Sequence, residues 1–269
     1  GAPELGVGNA LGSNIANIGL VLGATTLVAR LPVYRWLFRL EVPLLAFATL
    51  LAGYILFDHH MSRIEGSILL LCAILFPAVL WLDANKQQDK STHDSAANPL
   101  EGHNIEEEIP DISLTKSLIW LIGGLLALLY SAHILVTSAT SIAEFYSISP
   151  LIIGVTIVAV GTSLPELAAS IMSAIRGHMD MAVGNIVGSN ILNIFAVMSM
   201  PGLIAPHTLE SEVFSRDTLT MFALTALLIA LVYRQSHRKD NKGGALGWRS
   251  GLTFLTIYFS YNTAIIILV

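Results

Sequence analysis

The sequence predicts an all-α polytopic membrane protein that contains an inverted repeat. Of its 269 residues, 54% are hydrophobic and only 12% are charged, whereas soluble domains carry about 25% charged residues. The mean hydropathy is +0.69, and long apolar runs recur between short polar breaks. This composition excludes a water-soluble enzyme. The scattered Lys and Arg residues also leave no basic stripe that could follow a nucleic-acid backbone.

Apolar windows separated by Arg, Pro or acidic clusters predict eight membrane-spanning helices. The predicted spans are 5–29, 42–57, 64–82, 117–136, 149–175, 181–204, 218–233 and 249–268. The windows 42–57 and 218–233 are short for a hydrocarbon core of about 30 Å, which local thinning or snorkelling ends can accommodate.

Positive charges predict the orientation of these helices, because the Lys and Arg residues of short loops are retained on the cytoplasmic side. All 14 of them except Arg63 and Arg216 follow the odd-numbered spans. We therefore expect both termini to face outward from a plasma membrane, such as a bacterial inner membrane, and residues 83–116 to be cytoplasmic.

The polar segment 83–116 divides the predicted spans into two groups. It contains the acidic run 105–111 and cannot bury enough apolar surface to fold alone. We predict three helices of a first repeat in residues 1–82, an acidic cytoplasmic linker in 83–116, and five helices of a second repeat in 117–269. The linker is interpreted as a solvated connector, with a regulatory or ion-gathering role as the alternative.

An internal repeat appears when the sequence is shifted by 176 positions. Gly1–Ile18 then aligns without a gap with Gly177–Ile194, and the same shift places Glu41 over Asp217. Identical residues occur at Gly1, Val7, Gly8, Asn9, Gly12, Ser13, Asn14, Ile15, Asn17 and Ile18 of the first copy. Because an odd number of predicted spans separates equivalent points, the copies run in opposite directions. Inverted repeats place a binding site near the bilayer midplane.

The fifth predicted span contains the sequence Gly161-Thr162-Ser163-Leu164-Pro165-Glu166. A carboxylate at this depth is a functional candidate because it is expensive to bury in lipid. Pro165 removes a backbone donor, and Gly161 loosens the helix at the same place. We therefore expect the helix to bend or open there and to present carbonyl oxygens beside Thr162, Ser163 and Glu166.

Each repeat copy supplies further oxygen atoms on one helix face. Ser189 and Asn193 are four residues apart, as are Ser13 and Asn17, and residues at this spacing are neighbours on a helix. The alternative role for these pairs is hydrogen bonding between helices. Small-xxx-small patterns that favour close helix packing accompany them, at Gly8 and Gly12 and at Gly184 and Gly188.

The candidate ligands are hydroxyl, amide and carboxylate oxygens, without Cys or His at metal-ligand spacing. This set argues against zinc or copper and suits Ca²⁺, which accepts six to eight mixed oxygen ligands. Na⁺ uses the same neutral oxygens, so one site could hold either ion in competition. Mg²⁺ fits less well because it dehydrates reluctantly. No cofactor is expected beyond the transported ions.

With these motifs the sequence resembles the cation/calcium exchanger superfamily, in particular its prokaryotic sodium/calcium exchanger branch. The resemblance implies a ten-helix antiporter, of which eight helices are present here, with a cytoplasmic central linker. It implies that Glu166 binds Ca²⁺ and that Thr162 and Ser163 bind Na⁺. It also implies that partner-helix residues complete the site, namely Ser189, Asn193, Ser13 and Asn17.

Two departures from the family pattern lead to further expectations. The opening two helices of the family are absent, so these residues hold one signature carboxylate instead of two. We expect the upstream reading frame to encode two more helices that end in a Thr-Ser-x-x-Glu-like motif. Position 193 is Asn, where some members carry Asp, and this difference leaves the exchange stoichiometry open.

The leading interpretation is a secondary antiporter, not an enzyme, that uses inward Na⁺ flow to extrude Ca²⁺. Proton-coupled exchange of Ca²⁺ or another divalent cation, with Glu166 as the proton carrier, is the nearest alternative. A channel or non-transporting membrane subunit is an alternative of another class. An intramembrane hydrolase is disfavoured because Ser163 has no recognisable His or Asp partner. The expected partners are the ions and the lipid bilayer, with no obligate protein partner.

Overall fold

The computed structural model describes residues 3–33, 40–97, 113–237 and 244–268. The described residues form eight long helices, as the sequence predicts. They are α1 (Pro3–Val28), α2 (Glu41–Leu56), α3 (Arg63–Ala97), α4 (Leu114–Phe145), α5 (Leu151–Ile175), α6 (Met179–Ile204), α7 (Val213–Ser236) and α8 (Trp248–Leu268). Seven of these contain a segment long and apolar enough to cross a membrane, and α2 is a shorter apolar helix of 16 residues. The acidic run 105–111 and the basic positions 35, 39, 238, 239 and 242 lie outside the described residues.

Three helices differ in extent from the predicted spans. Helix α3 continues to Ala97 rather than ending near position 82, so the first part of the polar segment is helical. Helix α4 continues to Phe145 instead of ending at position 136. The membrane-length segment of α7 begins at Val213 rather than 218, because Arg216 and Asp217 form an ion pair inside the helix.

Two short antiparallel ladders connect the two halves of the chain reciprocally. Strand β1 (Leu31–Pro32), which follows α1, pairs with β4 (Ala245–Leu246), which follows α7. Strand β2 (His60–Met61), which follows α2, pairs with β3 (His207–Thr208), which follows α6. The 176-residue shift places β1 over β3. In each half, the strand that follows the repeat helix pairs with a strand of the other half.

The core of the fold is built around α1. Val7, Leu11, Ile15 and Ile18 are fully buried, and α1 packs against α5, α6, α7 and α8. Helix α4, in contrast, is exposed. None of its most apolar window is buried, and it packs against α5. An apolar helix with exposed side chains is suited to contact with lipid rather than water.

Wider π-helical turns interrupt the repeat helices at equivalent places. One covers Asn17–Leu22 in α1 and another covers Asn193–Val197 in α6, and the 176-residue shift aligns Asn17 with Asn193. A third covers Gly154–Val158, one turn before the Gly-Thr-Ser-Leu-Pro-Glu motif. Such π-helical turns occur frequently at functional sites. The turns in α1 and α6 begin at Asn17 and Asn193, the asparagines singled out in the sequence.

Of the two outcomes expected at Pro165, a bend or an opening, the opening is wrong. The chain is α-helical throughout Ala159–Ile175, with Pro165 inside the helix. A transmembrane helix tolerates proline when neighbouring helices and side chains compensate for the lost backbone bond. The local irregularity lies in the preceding π-helical turn instead.

Candidate cation-binding site

Glu166 lies on α5, which packs against both repeat helices, α1 and α6. The residue is half-buried, and its Oε2 atom is buried without a hydrogen-bond partner among the described residues. An unpartnered buried carboxylate oxygen costs free energy. A cation bound at this oxygen would offset part of that cost, and the role of Glu166 as a ligand stays a prediction.

A cluster of three side-chain oxygens joins α1 to the start of the motif on α5. Ser13 Oγ lies 2.9 Å from Thr162 Oγ1. Thr162 Oγ1 donates to Asn9 Oδ1 at 3.1 Å, and Ser13 Oγ donates to the same Asn9 oxygen at 3.3 Å. Ser13 is 3% exposed, whereas Thr162 is exposed. The structure thus brings together two predicted ligands, Ser13 and Thr162, and adds Asn9 to them.

Two further predicted ligands are buried and lack hydrogen-bond partners. Ser163 is 2% exposed and Asn17 is 1% exposed. Neither the Ser163 hydroxyl nor either amide atom of Asn17 has a partner within the described chain. Each buried unsatisfied polar group costs about 1–3 kcal/mol. A cation bound by the oxygens of Ser163 and Asn17 would recover part of this cost.

The second repeat copy contacts α5 through a residue outside the predicted set. Asn185 Nδ2 donates to the Glu166 main-chain oxygen at 3.4 Å and to Ser170 Oγ at 3.0 Å. The predicted ligands Ser189 and Asn193 are half-buried, and the hydrogen bonds of the described residues do not include their side chains. Asn193 instead marks the start of the π-helical turn in α6.

Asn9 and Asn185 both contact α5, although neither is among the predicted ligands. The 176-residue shift aligns these two positions, and both belong to the identities of the repeat. Asn14 and Asn190 are a second missed pair, 1% and 0% exposed. The Asn14 Oδ1 atom and both amide atoms of Asn190 lack partners. The repeat identities were the signal that could have identified all four.

The glycine patterns act differently in the two copies. A Cβ atom added to Gly8 would lie 2.9 Å from the Leu151 oxygen, and one added to Gly12 would lie 2.7 Å from the Ala159 Cβ atom. The first copy therefore approaches α5 closely, as expected. At Gly184 and Gly188 an added Cβ atom meets nothing within 4 Å in the described structure, so the expected close contact is not made there.

A buried ion pair lies apart from the motif, on α7. Arg216 binds Asp217 with two hydrogen bonds, Nε to Oδ1 at 2.7 Å and Nη2 to Oδ2 at 3.0 Å. Tyr261 of α8 donates its hydroxyl to Asp217 Oδ1 at 2.7 Å. Asp217 is fully buried. The carboxylate is therefore occupied by protein groups and ties α8 to α7.

The arrangement at the meeting of α1, α5 and α6 suits hard cations. Its polar atoms are hydroxyl, amide and carboxylate oxygens, which Ca²⁺ accepts, and soft metals prefer thiolate and imidazole. Clusters of three or more His, Cys, Asp or Glu that could hold a metal are absent from the described residues. A carboxylate and several neutral oxygens on apolar helices that pack against one another are typical of an ion transporter.

Comparison with known proteins identifies the family. The sequence profile described as "Sodium/calcium exchanger protein" matches residues 1–82 and 116–267. The chain belongs to the sodium/calcium exchanger family, whose members are membrane transporters rather than enzymes.

Individual relatives are similar over most of the chain. CaxA of Alkalimonas amylolytica, which is named provisionally as an antiporter, is 41% identical over 87% of this chain and 71% of its own length. Inner membrane protein YrbG of Escherichia coli is 35% identical over 94% of this chain and 78% of its own. The solved sodium-calcium exchanger NCX_Mj superposes with a TM-score of 0.68 at 29% identity, covering 96% of this chain and 76% of that one.

Proposed function

We propose that this chain exchanges Ca²⁺ for Na⁺ across a membrane by alternating access, with Glu166 as the principal Ca²⁺ ligand. The observation that carries the proposal is that three predicted ligands, on α1 and α5, have buried polar atoms without hydrogen-bond partners among the described residues. Glu166 Oε2, Ser163 Oγ and the Asn17 amide are all buried and unsatisfied. They lie on the helices whose contacts form the centre of the bundle.

The residues divide between a charged ligand and neutral ones. Glu166 provides the negative charge that a divalent cation requires, and Thr162, Ser163 and Ser13 provide hydroxyl oxygens that suit Na⁺. Asn17, Ser189 and Asn193 complete the proposed set. Because Ca²⁺ and Na⁺ use overlapping oxygens, one ion must leave before the other binds. This competition couples the two fluxes.

Alternating access requires two related halves, and two features support an inverted repeat. The ladders pair reciprocally between the halves, and π-helical turns begin at the equivalent residues Asn17 and Asn193. We propose that the halves are related by a pseudo-two-fold axis in the membrane plane, around which rocking exposes the site to each side in turn.

The proposed location is a plasma membrane, with outward termini and residues 83–116 on the cytoplasmic side. The distribution of the 14 Lys and Arg residues supports this orientation. The similarity to an inner membrane protein of Escherichia coli supports the compartment.

Substitution of Glu166 tests the assignment of the Ca²⁺ ligand. We expect Glu166→Gln to abolish Na⁺-driven Ca²⁺ uptake into vesicles, because the amide keeps the size of the side chain and removes its charge. The control is Glu210→Gln at an exposed carboxylate, which should transport normally. Comparable protein levels and thermal unfolding must accompany the loss. Normal exchange by Glu166→Gln would contradict the assignment.

A further inference from the structure

The side-chain oxygens of Asn9, Ser13 and Thr162 form a cluster with more short contacts than hydroxyl protons. Some of these contacts therefore cannot be hydrogen bonds at the same time. Thr162 Oγ1 lies within hydrogen-bonding distance of Asn9 Oδ1, Ser13 Oγ and the Ala159 carbonyl oxygen. Ser13 Oγ reaches Asn9 Oδ1 as well as Thr162. Two hydroxyl groups own two protons, but the cluster contains four such contacts. The proton positions therefore depend on what else the hydroxyl oxygens bind.

A cation on the hydroxyl oxygens selects one of these arrangements. A bound cation takes the oxygen lone pairs, so both hydroxyl protons must point away from it. An amide oxygen accepts two hydrogen bonds, and Asn9 Oδ1 lies 3.1 Å from Thr162 Oγ1 and 3.3 Å from Ser13 Oγ. Asn9 can therefore accept both protons simultaneously, which leaves the two hydroxyl dipoles aligned toward the ion.

We propose that Asn9 is a positioning residue for Na⁺, which orients the hydroxyl groups of Ser13 and Thr162 by accepting both of their protons. The inference rests on the proposed function, in which these hydroxyls bind Na⁺. Na⁺ depends on correctly oriented neutral dipoles, because its single charge attracts each ligand weakly. Ca²⁺ depends chiefly on the Glu166 carboxylate. Asn9 thus favours Na⁺ binding more strongly than Ca²⁺ binding.

The equivalent residue of the second copy does not have this role. Asn185 uses its Nδ2 group to donate to the Glu166 main-chain oxygen and to Ser170 Oγ, and its hydrogen bonds do not involve a predicted hydroxyl ligand. Asn9 acts as an acceptor and Asn185 as a donor, although the repeat aligns them. This difference makes Asn185 a matched control for the loss of a helix-to-helix hydrogen bond.

Ion-dependent thermal stability separates positioning from simple packing. Purified protein is heated in detergent with NaCl replacing choline chloride, and separately with CaCl₂, and the half-saturating concentrations are compared. Asn9→Leu keeps the size and removes the acceptor. Asn9→Leu should raise the half-saturating Na⁺ concentration about tenfold, because one hydrogen bond is worth about that factor. The half-saturating Ca²⁺ concentration should rise by less than about threefold. Asn9→Asp keeps an acceptor oxygen and should bind Na⁺ at least as tightly as the parent.

Three outcomes would overturn the inference. They are an unchanged Na⁺ value in Asn9→Leu, equal losses for Na⁺ and Ca²⁺, or a weakened Na⁺ response in Asn9→Asp. The control Asn185→Leu removes hydrogen bonds between helices but no acceptor of the Ser13 and Thr162 protons, and a rise in its half-saturating Na⁺ concentration equal to that of Asn9→Leu would also contradict the inference. If Asn9→Leu fails to fold, Asn9→Ala removes the same acceptor. A parent protein that neither exchanges nor responds to Na⁺ would instead refute the proposed function.

Discussion

Replacement of Gly12 by Ala should force α1 away from α5. A Cβ atom added at this position would lie 2.7 Å from both the Ala159 Cβ atom and the Val155 Cα atom, and it would also collide with the Val155 carbonyl oxygen. Carbon atoms in proteins pack at about 3.5–4.0 Å. Since two of the three obstructing atoms belong to the backbone, a side-chain rotation cannot relieve the overlap, and the helices must separate by about 1 Å.

The expected loss of stability follows from two opposing effects. Overpacking of a tight contact costs about 1–3 kcal/mol, and replacement of a helical Gly by Ala recovers up to about 1 kcal/mol. With the middle of the overpacking range, about 2 kcal/mol, the net loss is about 1–2 kcal/mol. The adjacent contact between Ser13 Oγ and Thr162 Oγ1, 2.9 Å long, should lengthen with the helix separation. Na⁺ binding should therefore weaken as well.

Thermal unfolding in detergent measures this effect. At about 2–4 °C for each kcal/mol in a chain of this size, Gly12→Ala should lower Tm by roughly 2–8 °C. The matched control is Gly124→Ala in α4, where an added Cβ atom meets nothing within 4 Å in the described structure, and its Tm should be unchanged or higher. Equal Tm values for the two variants would refute the packing argument.

Three further substitutions test the ion pair and the proposed ligand on α6. Asp217→Asn leaves Arg216 without its buried partner and should lower the free energy of unfolding by about 3–5 kcal/mol. Tyr261→Phe removes one hydrogen bond and should cost about 1 kcal/mol, so equal losses in denaturation experiments would contradict an anchoring role for the ion pair. Asn193→Asp should tighten Ca²⁺ binding at high pH and lose this gain as the new carboxylate protonates, and an unchanged pH profile would argue against Asn193 as a ligand.

The sequence was sufficient to predict the helices but not all of their ends. Hydropathy indicates the residue at which a helix leaves the apolar layer of the membrane. The helix itself can continue beyond that residue. Helix α3 continues from the apolar segment to Ala97 through a polar stretch that contains good helix formers, Ala, Lys and Gln, beside weaker ones. In α4, Ser141 Oγ donates to the Thr137 main-chain oxygen, so its hydroxyl is satisfied within the helix. Polar residues there do not mark an end.

Local rules also misjudged the effect of Pro165. The proline removes one donor, but the chain stays α-helical through Pro165, and the irregular turn lies earlier, at Gly154–Val158. That turn contains Val155, whose carbonyl oxygen faces Gly12 of α1. This contact joins distant segments of the chain, which local residue preferences do not describe.

Part of the candidate site could be predicted from the sequence, but the contacts between distant segments could not. Repeat identities and the buried carboxylate were sufficient to single out Ser13, Asn17 and Glu166. The role of Asn9 required knowledge of how α1 crosses α5, because its oxygen meets Thr162 across 153 positions of the chain. Similarity between the copies indicates which residues matter, and the packing of the helices determines what each one contacts.

Ca²⁺ uptake into vesicles under one imposed gradient at a time tests the central proposal most directly. Vesicles that contain the protein receive either a Na⁺ gradient or a pH gradient, and ionophores dissipate the other. We expect Ca²⁺ accumulation driven by the Na⁺ gradient alone, with none when choline replaces Na⁺. Accumulation driven only by the pH gradient would replace Na⁺ with H⁺ as the coupling ion and contradict the proposed sodium/calcium exchange.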